Sequence, residues 1–116
     1  MTVLVALSDD GDRADITRAL EGRSLRVLEA STGEGALRAL REAEDPAPRL
    51  ALLDQDLAGL SGIHVLGKMR LETAARGCEA LLALSPKDFE RYKDPALQAG
   101  ALGIVVNIYS RHYAFI

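Results

Sequence analysis

The chain has 116 residues, which suits one domain, and 48% of them are hydrophobic, enough to bury a core. A formal charge of −3 gives no electrostatic reason for nucleic acid or an anionic membrane to be a direct partner. The single cysteine, Cys78, rules out an internal disulfide and reads as inert, and no apolar run approaches the roughly 18 residues of a membrane span. With no basic region before an apolar stretch at the N-terminus, the chain is expected to be soluble and cytoplasmic.

Thr2 to Leu7 (TVLVAL) is apolar and rich in β-branched residues, with no polar alternation, as in a strand buried on both faces. Ser8-Asp9-Asp10-Gly11 ends it and can cap a helix. Asp12 to Glu21 carries Ile16, Ala19 and Leu20 on one helical face, closed by Gly22. Leu25 to Ala30 is a second strand, more polar and so nearer an edge. Glu34 to Glu44 is a helix with Ala36, Leu37 and Leu40 inward, and Pro46 and Pro48 stop it.

Leu50 to Asp54 is the third strand, and it ends abruptly on Asp54 and Asp56. Gly62 to about Glu72 is a third helix, with Val65, Leu66 and Met69 at helical spacing. Glu79 to Leu84 is a fourth strand, closed by Ser85-Pro86. Lys87 to Ala99 is helical through Phe89, Tyr92 and Leu97, but Asp94-Pro95 should kink or split it. Leu102 to Val106 is a fifth strand. The strict alternation argues for an α/β fold with a doubly wound, five-stranded parallel sheet. Only Ile108 to Ile116 remain for a fifth helix. Tyr109, Tyr113 and Ile116 give about two turns of apolar face, so that helix is short or missing. The uncovered last strand is then a surface for a homodimer or a downstream partner.

In a sheet of order 2-1-3-4-5, the first and third strands meet at the topological switch point, outside which ligands bind. Asp9 and Asp10 after the first strand and Asp54 after the third should therefore converge. Clustered carboxylates repel unless a cation joins them, and a hard divalent ion such as Mg2+ fits oxygen ligands.

These residues resemble the receiver domain of bacterial response regulators, from Met1 to about Tyr109. The acidic pair falls on Asp9 and Asp10, and the phosphoacceptor on Asp54. The loop from Asp54 to Gly62 matches the family's Asp-x-x-Met-Pro-x-x-x-Gly in length and last glycine. Ser85 falls on the hydroxyl position after the fourth strand, and Gly100-Ala101 matches the Gly-Ala before the fifth. The resemblance implies a two-component receiver of flavodoxin-like order, itself not an enzyme. Asp54 would take a phosphoryl group from a histidine kinase or phosphotransfer protein. Mg2+ would be held by Asp10, Asp54, the backbone carbonyl of Asp56 and, through water, Asp9. Ser85 would donate a hydrogen bond to the phosphoryl group, and the signal would pass by protein contacts.

The chain also departs from the family. The lysine of the fifth strand is Asn107, its following proline is Ile108, the switch aromatic is Ile104 and the loop proline is Ala58. The alternative is therefore a pseudo-receiver that signals by a phosphorylation-independent contact. A third possibility is the Asp-x-Asp of haloacid-dehalogenase-type phosphatases, at Asp54 and Asp56. Such a site needs a later lysine and later acids, but little chain remains after Asp54, no acidic pair ends a later strand, and the two acids that fit lie upstream. His64 and His112 have no metal-ligand spacing with Cys78 or each other.

Overall fold

The computed structural model describes residues 1–44, 47–72, 75–109 and 112–115. Five parallel strands, β1 (Thr2–Ala6), β2 (Arg26–Ala30), β3 (Leu50–Asp54), β4 (Glu79–Leu84) and β5 (Gly103–Tyr109), lie in the order 2-1-3-4-5. The crossovers carry α1 (Asp10–Glu21), α2 (Gly33–Glu42), α3 (Gly62–Met69) and α4 (Pro86–Gln98).

The strands are apolar on both faces because helices cover both. Val3, Val5 and Leu7 face α1 and pack with Ile16 and Leu20. Leu4, Ala6, Leu53, Leu82 and Leu84 face the other way, against Leu37 and Leu40 of α2 and Val65, Leu66 and Met69 of α3. Ile104 and Val106 of β5 join this second layer with Ala96 of α4. The more polar β2 is the outer strand beside β1.

Two sequence expectations need correction. α4 is continuous across Pro95 rather than split. Proline removes the bond to the carbonyl four residues back, that of Arg91. Arg91 and Pro95 are both exposed, so water can take that carbonyl, while buried Ala96 keeps the helix seated. The tail is not helical: β6 (His112–Phe115) returns antiparallel beside β5, pairing Val105 with Phe115 and Val106 with Ala114. A helix of about two turns is marginal, whereas a run carrying Tyr109, Tyr113 and Phe115 beside an open sheet edge gains backbone partners as a strand. The sheet thus has six strands, and among the described residues no fifth helix follows β5. Pro46 and Ile116 lie outside the described residues.

Candidate functional site

Asp54 is the last residue of β3, paired in register with Ala83 of β4. The next residue leaves the strand but stays tied to the sheet, because Gln55 N–H donates to the Ala83 carbonyl at 3.0 Å. The chain then turns through Gly59, whose φ of +82° is left-handed and suits glycine. It re-enters α3 at Gly62, packed directly on the end of β3. A Cβ at Gly62 would stand 2.7 Å from the Asp54 carbonyl oxygen and would also strike the Leu82 side chain. Ser61 caps α3, and the Gln55 side chain accepts from Ile63 N–H at 3.0 Å. Asp54 is therefore held at the mouth of the sheet by a short, tightly packed loop.

The group facing Asp54 from the loop after β1 is Ser8. Its hydroxyl donates to Asp54 Oδ2 at 2.7 Å, and its backbone N–H reaches the same oxygen at 3.2 Å. Asp56 N–H donates to Asp54 Oδ1 at 3.1 Å. Both carboxylate oxygens thus accept from neutral donors.

Asp9 and Asp10 do not converge on Asp54. Asp9 is the N-cap of α1, with Oδ1 accepting from Asp12 N–H at 2.8 Å. Asp10 lies in the first turn, where Arg13 one turn on takes its carboxylate at 2.6 Å. The Asp10 side chain is 89% exposed, so it points to solvent rather than into a shared site. Arg13 is anchored because its other guanidinium nitrogen donates to the Leu7 carbonyl at 2.8 Å, with Glu29 at 3.8 Å. Both acids are spent on starting α1, a use that a helix N-terminus favours.

Asp56 is exposed beside Asp54, and its pKa is raised by burial first, then by the charges of Asp54 and Asp88, against the opposing effect of Lys87. Ser85 caps α4 without a side-chain hydrogen bond. Asn107 follows the Leu84–Val106 pair by one residue, which puts it level with Ser85, and its own partner across the sheet is Tyr113. Ile104 is buried in the α4-side core. Burial pushes the Cys78 thiol up to about 11, away from reactivity. His64 is exposed and meets Ser61 Oγ at 2.8 Å.

A bound Mg2+ does not fit these residues. Such an ion is held by one or more carboxylates with several retained waters. Here the side chain that meets Asp54 from the loop after β1 is a hydroxyl, which brings no negative charge to help hold a cation. Among the described residues, no three His, Cys, Asp or Glu side chains group where they could hold a metal ion. Sequence reasoning missed Ser8 and Arg13. The available signal was the i, i+3 spacing of Asp10 and Arg13, together with the capping run Ser-Asp-Asp, which assigns those acids to a helix start.

No model of a known protein family matches the sequence. The chain is 39% identical over 105 residues to the transcriptional regulatory protein KdpE of Mycobacterium tuberculosis. That match takes in 87% of this chain and 42% of the relative, so the chain spans less than half of the relative's length. Among solved structures it resembles the response regulator TrrA of Thermotoga maritima in complex with Mg2+ and BeF (TM-score 0.75, 23% identity, 93% of this chain and 87% of that one). It also resembles the receiver domain of Ssk1 of Saccharomyces cerevisiae, solved with the histidine phosphotransfer protein Ypd1 (TM-score 0.79, 17% identity, 92% and 78%).

Proposed function

We propose that this chain, a response regulator receiver domain by fold, works in two-component signalling as a phosphorylation-independent protein-interaction module. The observation that carries this reading is the 2.7 Å hydrogen bond from Ser8 to Asp54 Oδ2. An acceptor carboxylate needs a free oxygen to attack phosphorus and positive charge to offset the incoming negative charge. The donors on both Asp54 oxygens are neutral and supply none of that charge, and the acids upstream of it serve α1. Asn107 stands where the resemblance expects a lysine, and a neutral donor contributes about 0.5–1.5 kcal/mol where a charged one contributes about 1.5–3.

The output is a protein contact. The Ssk1 receiver, solved with a histidine phosphotransfer protein, supports a histidine kinase or phosphotransfer protein as one partner class, with a downstream protein as the other.

Intact mass after incubation with acetyl phosphate and Mg2+, beside an Asp54→Asn control, tests the reading. No mass gain is expected at a donor excess that labels an ordinary receiver. A gain of one phosphoryl group in the wild type alone would establish the second reading. In that reading Asp54 is the acceptor and Ser85, whose hydroxyl makes no capping bond, donates to the phosphoryl group.

A further inference from the structure

We infer that Ser8 and Asp54 form a hydrogen-bonded pin between the ends of β1 and β3, which holds the loops after both strands in one arrangement whether or not a divalent cation is present. The inference rests on the reading above that the acids at these strand ends do not assemble a cation site.

Three features of the geometry carry it. First, the contact spans 46 residues of sequence and joins two loops that, among the described residues, no other side-chain hydrogen bond links. Second, it uses two donors from one residue on one oxygen, the Oγ at 2.7 Å and the N–H at 3.2 Å, so the serine is fixed in both backbone and side chain. Third, each side is braced from behind. On the β1 side, Arg13 holds the Leu7 carbonyl immediately before Ser8. On the β3 side, Gly62 packs against the Asp54 carbonyl, and Asp56 N–H takes the other carboxylate oxygen. In an acidic site without its cation, removing a carboxylate relieves repulsion and stabilises the fold. Here the carboxylate faces donors, so its removal deletes attractive contacts rather than repulsion and destabilises the fold.

A double-mutant cycle in urea tests the pin, using wild type, Ser8→Ala, Asp54→Ala and the double variant, each with and without millimolar Mg2+. Ser8→Ala keeps the backbone N–H and removes only the hydroxyl donor. A hydrogen bond to an ionised acceptor corresponds to roughly a tenfold change in the unfolding equilibrium. Each single variant should therefore unfold more readily, and the double should be less destabilised than the sum by about that factor. Wild-type stability should not respond to Mg2+.

Ser8→Asp supplies the contrast. It sets a second carboxylate against Asp54 and should lower stability without Mg2+ and recover it when Mg2+ is added. Additive single losses overturn the pin, as does an Asp54→Ala variant more stable than wild type, or a wild type stabilised by Mg2+. The mass measurement answers separately: uptake of phosphate alongside a coupled cycle would sink the proposed function and leave the pin standing.

Discussion

Gly62 and Gly67 sit five residues apart on the same short helix, and alanine at each should change stability in opposite directions. At Gly62 the added Cβ would lie 2.7 Å from the Asp54 carbonyl oxygen and closer still to the Leu82 methyl. The methyl can turn, but the carbonyl belongs to the last residue of a central strand, with neighbours on both sides. Forcing atoms into a packed region costs about 1–3 kcal/mol. Gly62 opens the helix, where alanine's propensity advantage is small, so most of that cost remains. Gly67 is exposed, inside the helix, with nothing within 4 Å of the position a Cβ would take. Alanine there should gain about 0.5–1 kcal/mol from helix propensity alone. For a domain of this size 1 kcal/mol moves Tm by roughly 3–6 °C. Thermal melts followed by circular dichroism should show Gly62→Ala falling by about 3–18 °C and Gly67→Ala rising by a few degrees. Equal shifts, or a rise for Gly62→Ala, would refute the claim that α3 docks on β3 through a glycine-only contact.

The raised pKa of Asp56 gives a pH signature. A carboxyl whose folded pKa lies above its unfolded value binds more protons when folded, so stability falls as pH climbs through that range. Asp56→Asn should therefore be more stable than wild type at neutral pH, with the gain vanishing below the ordinary aspartate range; urea midpoints against pH would read this, and a gain independent of pH would contradict it. Arg13→Ala removes a largely buried guanidinium from the Leu7 carbonyl and from Asp10. A loss of about 1.5–3 kcal/mol in urea is expected, and a change within about 0.5 kcal/mol would mean the brace on β1 carries no weight.

The order of the sheet was legible because period and length agree along the chain. Five apolar runs of strand length alternate with helical faces at 3.6 spacing, and the parallel order follows from right-handed crossovers. Asp54 was legible for the same reason, as the first polar residue after an apolar run. The partner of Asp54 was not. An apolar run marks a strand to within a residue or two, and β1 stops at Ala6 although the run continues through Leu7. A shift of one residue decides whether Ser8 or Asp9 faces the site. Composition favoured the acids, while the helix start had the stronger use for them. The tail failed for a different reason: in eight residues, aromatic positions four apart fit a helix as well as a strand, and only the open edge of β5 decides between them. Pro95 was read by its missing donor without regard to which side of α4 it faces.

The final hairpin also bears on solubility. Gly103 to Tyr109 (GIVVNIY) is seven residues of high strand propensity, without charge or proline. Such a segment, left as the outer strand of a sheet, presents unpaired N–H and C=O groups to other chains and is a recognised hazard for cross-strand aggregation. β6 takes up that edge along Val105, Val106 and Asn107, and the register irregularity between Asn107 and Tyr109 breaks the flat ladder that stacking requires. Shortening the chain before His112 would thus do more than delete β6. It would convert the most apolar outer strand of the sheet into a template, and the first symptom would be concentration-dependent precipitation rather than a lowered melting point.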